Sequence, residues 1–194
     1  MLKFNSELRA EARDSLKGKW GRGAVISLIY TAIIAAGGLS AHLSLLFSLF
    51  VGVILGYGLQ ITFLQSFRRM PLNIVNLFLG FQNYLVVLGT MLLMILYSFL
   101  WTLLLIIPGI IKSYSYAMTP YLRYEYPELG AEELICKSME MMKGRKMKLF
   151  LLDLSFIGWG VLSILTLGIG LLWLFPYMYS ARAAFYEDIR TETV

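Results

Sequence analysis

Few side chains here could act as nucleophile, base or acid: one histidine (His42), one cysteine (Cys136), and Asp153, an aspartate beside a long apolar run. A Ser-His-Asp arrangement would need His42 within hydrogen-bond reach of Asp153, and Cys136 would need a histidine beside it. No pair of residues stands at a metal-ligand spacing such as HExxH or CxxC. The expectation is a chain without catalytic residue, metal ligand or cofactor. His42 reads as a polar turn residue.

Two further ionisable residues lie in apolar sequence, where charge costs several kcal/mol. Lys112 opens the stretch Lys112-Ser113-Tyr114-Ser115-Tyr116-Ala117-Met118-Thr119-Pro120-Tyr121, polar for a membrane segment. Arg182 lies in the last apolar segment. If the turn between Leu167 and Gly168 reverses the chain, Asp153 comes level with Arg182, and the two are expected to pair. The pair is either a staple between helices or a substrate or proton site. The 112–121 stretch either hydrogen-bonds between helices or lines a polar cavity. The ligand-binding set under the second reading is Lys112, Ser115, Tyr116, Thr119, Asp153 and Arg182. Gly56-Tyr57-Gly58 resembles part of a potassium filter. Its flanks continue as an apolar helix, and the Gly52/Gly56 spacing suits close helix packing instead.

What must position these residues is a set of membrane helices. The chain has 194 residues and fits one domain, 1–194. Its mean hydropathy is +0.70, and no Asp, Glu, Lys or Arg occurs from Ala24 to Phe67, Leu72 to Ile111 or Leu154 to Ala181. A spanning helix needs roughly 20 apolar residues. As one helix the first run would be roughly 66 Å long, so it must fold back, near Gly37-Gly38, Ser40 and His42. The second hairpin is expected to turn at Ile106-Ile107-Pro108-Gly109, because proline removes a helical donor and glycine permits the turn. The third turns at Thr166-Leu167-Gly168-Ile169-Gly170.

Three amphipathic segments complete the reading. Residues 2–20 form a surface helix with Leu8, Ala12 and Leu16 on one face, ending at Trp20. Residues 72–83 form a short interfacial helix with Asn73, Asn76, Gly80 and Asn83 on one stripe. Within the polar segment 123–148, a helix from about 130 to 142 places Leu134, Ile135, Met139 and Met142 together, with Glu133 paired to Lys137.

The net charge of +5 does not point to nucleic acid, because the basic residues flank apolar runs. Up to Arg22 the chain has six basic and three acidic residues, and Arg68-Arg69 add two more basic ones. The three turns hold no Lys or Arg. The positive-inside rule then puts both termini in the cytoplasm, which places His42 outside and Asp153 near the inner face, too far apart for a triad. Lys143, Arg145, Lys146 and Lys148 set the orientation of the last hairpin. The fold class is an all-α polytopic membrane bundle of six transmembrane helices in three hairpins, with cytoplasmic interfacial helices.

The segment from Ile107 to Met118 resembles the signature of a bacterial integral-membrane family catalogued as domain of unknown function nine hundred and seventy-five. Ser138 with Met142-Lys143-Gly144 extends the resemblance, as do Leu151 to Trp159, Leu165 to Gly170, Pro176-Tyr177 and Ala184-Phe185-Tyr186. The chain departs from the pattern in its short first connection near Gly37 to His42. The resemblance implies a multi-spanning bacterial cell-membrane protein and supplies no activity and no catalytic residues. The leading functional expectation is a non-enzymatic protein that binds protein or lipid partners in the bilayer, either membrane lipids, another protein or a second copy of itself. The alternative is a small-solute transporter or channel built on the 112–121 stretch and the Asp153/Arg182 pair.

Overall fold

The computed structural model describes residues 2–38 and 44–191 and is all-helical, 81% helix, with no strand among the described residues. The chain begins with α1 (Asn5–Ser15), followed by α2 (Trp20–Gly37) and α3 (Ser44–Phe67), the last carrying a π-helical stretch at Ser48–Gly52. A 3-10 helix (Ile74–Phe81) leads to α4 (Tyr84–Leu104), α5 (Ile106–Tyr116) and α6 (Thr119–Glu125). Then come α7 (Ala131–Met141), α8 (Lys146–Leu165, interrupted at Ser155 and Phe156) and α9 (Leu171–Arg190). Four of these, α2, α3, α4 and α8, are long and apolar enough to cross a membrane. The expected turn residues Ser40 and His42 lie outside the described residues.

The amphipathic pattern of the N-terminus buries as its periodicity requires: Leu8, Ala12 and Leu16 are each 0% exposed. The helix is shorter than 2–20, ending at Ser15, and it docks on the end of α9. There the Lys3 backbone N–H donates to the Asp188 carboxylate at 3.1 Å, and Lys148 Nζ meets the same carboxylate at 3.0 Å. Glu11, hydrogen-bonded to Lys3 at 2.7 Å, holds that ammonium above its ordinary range.

The second turn falls at Leu105, one extended residue (φ −157°, ψ 135°), rather than at Pro108-Gly109. Pro108 instead occupies the first turn of α5, where its missing N–H costs no helical bond. Gly109 has a different use: a Cβ there would lie 2.3 Å from Thr102 Oγ1, so glycine lets α5 close on α4. The third turn matches the expectation. The Leu167 and Gly168 N–H groups close back on Ile164 and Ser163 oxygens at 3.0 and 2.9 Å, a Schellman motif with both residues at positive φ.

The 72–83 segment does more than lie at an interface. It packs along α3, with Leu77 against Gly58 and Gly80 against Ile54; a Cβ at Gly58 would meet the Leu77 carbonyl oxygen at 1.9 Å. Asn73 caps it by accepting from the Val75 N–H, and Asn76 donates to Gln65 at 2.5 Å. In consequence α4 starts beside Phe50, whose carbonyl accepts from the Tyr84 hydroxyl at 3.2 Å. The tight glycine contact on α3 is therefore Gly58; Gly52 and Gly56 face Ile34 and Tyr30 of α2.

In α7, Leu134 and Ile135 are buried as expected, but Glu133 does not pair with Lys137. It caps its own helix by accepting from the Gly130 N–H at 2.9 Å, while Lys137 sits 3.9 Å from the Tyr126 ring. The apolar tips remain uncovered: residues 103–107 are each 61–73% exposed and Leu167 is 94% exposed. Surfaces that apolar have no stable place in water and are matched by lipid tails.

Candidate functional site

Constant helical rise brings Asp153 of α8 level with Arg182 of α9. Arg182 Nε and Nη2 donate to the two carboxylate oxygens at 3.0 and 2.8 Å, a bidentate pair. The Tyr114 hydroxyl donates to the same carboxylate at 3.2 Å, tying α5 to the pair. Three helices thus converge on one carboxylate, which is left with little unmet hydrogen-bonding capacity.

Beside the pair lies a cleft of about 310 Å³. Its polar wall is made by Gln60 of α3, Ser98 of α4, Ser113 and Tyr114 of α5, and Arg182; Ala117 and Pro120 border it at the junction of α5 and α6. That junction exists because Pro120 has no N–H to offer the preceding turn. Ser138 of α7 bridges the gap: its hydroxyl donates to the Ser115 carbonyl at 2.8 Å and accepts from the Met118 N–H at 3.2 Å. Both backbone groups are buried and would otherwise lack a partner there.

The expected ligand set divides. Arg182 lines the cleft, and Asp153 holds it in place. Lys112 does not reach the cleft; its Nζ stands 4.7 Å from the Trp101 ring centroid. Ser115 is buried with its hydroxyl returned to the Ile111 carbonyl at 3.0 Å. Tyr116 is buried beside Tyr97, ring centroids 6.4 Å apart. Thr119 is fully buried, and its hydroxyl has no hydrogen-bond partner among the described residues. The residues that do line the cleft, Ser113 and Tyr114, come from the same stretch but from its other sides.

Two polar clusters were not anticipated. At the ends of α3, α6 and α9, Arg68 bonds Glu125 and meets Glu187 at 2.5 Å. Arg190 lies 3.3 Å from Glu125 and 3.1 Å from Glu187, and the Tyr186 hydroxyl donates to Glu125 at 2.6 Å. Elsewhere Arg123, 4% exposed, donates to Thr90 at 2.6 and 2.9 Å and to the Leu129 carbonyl at 2.9 Å. The only signal for the first cluster in the sequence is an acidic residue near the ends of α6 and α9, Glu125 and Glu187, against the Arg68-Arg69 stop at the end of α3.

Among known proteins, residues 102–193 match the family described as Protein of unknown function (DUF975). That segment holds α5 to α9 and every residue of the expected ligand set. No curated protein and no solved structure matches the chain.

Proposed function

We propose, taking as premise that this is a DUF975 protein over residues 102–193, that it is a bacterial membrane protein that binds a small polar solute in the cleft beside Asp153 and Arg182. Its six membrane helices form three hairpins with both termini in the cytoplasm. The shared cluster at the ends of α3, α6 and α9 supports that arrangement, because it gathers the three return helices at one end of the bundle.

One observation carries the solute reading: a cleft with one polar wall, faced by Met94 and Leu149, opens where the return segment of the second hairpin is broken. Discontinuous helices in a membrane expose backbone and side-chain polar groups that can replace a solute's hydration, and transporter sites are commonly built there. The volume of about 310 Å³ fits a small ligand, pockets for which run from about 300 to 1,000 Å³. Gln60, Ser98 and Ser113 donate within their own helices, to the Gly56, Met94 and Ile110 carbonyls, and offer the cleft neutral oxygen acceptors. Arg182 adds a cation already balanced by Asp153, so the solute this wall suits is neutral or zwitterionic. Transport follows if the cleft alternates its opening.

The test is mass spectrometry of small molecules retained after gentle extraction from the native membrane. Wild-type protein is expected to hold one polar solute per chain, and Ser113→Leu, which fills the cleft with a branched side chain, is expected to lose it while keeping its thermal midpoint. Wild-type protein that retains lipid but no polar solute would overturn the reading.

A further inference from the structure

A second cavity, of about 440 Å³, runs between the later half of α8 and the beginning of α9. Three of the chain's four tryptophans, Trp20, Trp159 and Trp173, line it together with Tyr177. Trp20 and Tyr177 meet edge to face, 6.2 Å apart. The two aliphatic hydroxyls on its wall are spent locally: Ser163 donates to the Trp159 carbonyl at 2.8 Å and Thr166 to the Ser163 carbonyl at 2.9 Å. What they leave is an apolar trough.

One end of the trough differs in chemistry. Arg13 is the only charged residue on its wall. The carboxylates near Arg13 on α1 are engaged elsewhere, Asp14 with Lys17 at 2.6 Å and Glu11 with Lys3 at 2.7 Å. The guanidinium of Arg13 is exposed and forms no ion pair among the described residues. A cation and a tryptophan at the mouth of an apolar trough match the layering of a phospholipid, anionic phosphate above hydrocarbon.

Size argues against a protein occupant. A helix is about 10 Å across, so 440 Å³ would take roughly one turn of it. A flexible hydrocarbon chain can occupy the whole length.

We propose that this trough binds an anionic glycerophospholipid of the cytoplasmic leaflet, one acyl chain lying against Trp159 and Trp173 and the headgroup at Arg13. The proposal needs the membrane placement but no solute in the cleft, and the two fail separately.

The experiment uses the full chain with Trp101→Phe, so that all remaining tryptophans belong to the trough. It is reconstituted in phosphatidylcholine discs doped with acyl-brominated phosphatidylglycerol or, in parallel, acyl-brominated phosphatidylcholine. Bromine quenches tryptophan on contact. Brominated phosphatidylglycerol is expected to quench at several-fold lower mole fraction than brominated phosphatidylcholine. Arg13→Gln should cut that preference about fivefold, the worth of one basic residue at an anionic surface. The exposed position of Arg13 keeps the variant folded, which an unchanged thermal midpoint checks. Equal quenching by the two lipids, an unchanged preference in Arg13→Gln, or no quenching by either because another chain fills the trough would each overturn the proposal.

Discussion

Arg182 and Arg13 stand at the edges of two cavities and have opposite circumstances. Arg182 is half-buried and gripped by both oxygens of Asp153, with Tyr114 completing the carboxylate's bonds. Arg13 is exposed, and the carboxylates beside it are turned to Lys3 and Lys17. A charge with a good internal partner shapes a cavity without supplying a net charge to it. A charge without one gives its cavity a sign. That difference is the ground for proposing a neutral or zwitterionic solute in the cleft and an anion with a hydrocarbon chain in the trough.

The largest predicted effect comes from removing the Arg182 guanidinium. Arg182→Gln leaves the Asp153 carboxylate without its cation; losing one partner of a fully buried pair costs about 3–5 kcal/mol, an upper bound here because Arg182 is 37% exposed. Thermal or denaturant unfolding in detergent should show that loss. Combining it with Asp153→Asn should recover a substantial part, whereas additive losses would mean the two do not interact.

Next in size is Ser138→Ala, which strips the bridge from the Ser115 carbonyl and the Met118 N–H. Leaving buried polar groups unmade costs about 1–3 kcal/mol, and hydrogen exchange at residues 117–119 should rise with it. A Ser138→Ala protein as stable and as protected as wild type would remove the bridge from the account of the cleft.

Trp101→Leu removes the ring under Lys112. Cation–π contacts at exposed sites contribute about 0.5–1 kcal/mol, and binding at the cleft should be unaffected because Lys112 lies away from it. A change in retained solute would return Lys112 to the site. Smallest of all, Arg13→Gln should alter stability by no more than about 0.5 kcal/mol, as surface changes usually do. A larger loss would show that Arg13 is held by the fold after all.

How far the sequence reveals all this depends on chain distance. The Asp153–Arg182 pair is legible because both residues lie on helices joined by one short turn, so counting from Leu167 and Gly168 places them level. The same counting fails between helices that no short turn joins. Arg68 and Glu187 are 119 residues apart, and nothing local marks them as partners. Gln60 and Ser98 reach the cleft from α3 and α4 in the same way. In the 112–121 stretch Ser113 and Tyr114 line the cleft while Lys112, Ser115, Tyr116 and Thr119 do not. Helical phase does not continue through the break at residues 117 and 118, where Ser138 rather than the helix supplies the hydrogen bonds. Turn chemistry is legible where glycine takes positive φ, at Gly168, and not at Pro108, where a helix start imitates a helix break.

The most direct test of the account is whether water reaches the cleft. In a Cys136→Ser background, Ser113→Cys lines the cleft and Ser180→Cys sits at a fully buried position. A membrane-impermeant thiol reagent should modify the cysteine at 113 rapidly and leave the one at 180 untouched. If the cysteine at 113 proves as inert as the one at 180, the cleft is filled by lipid or protein, and this protein does not hold a polar solute there.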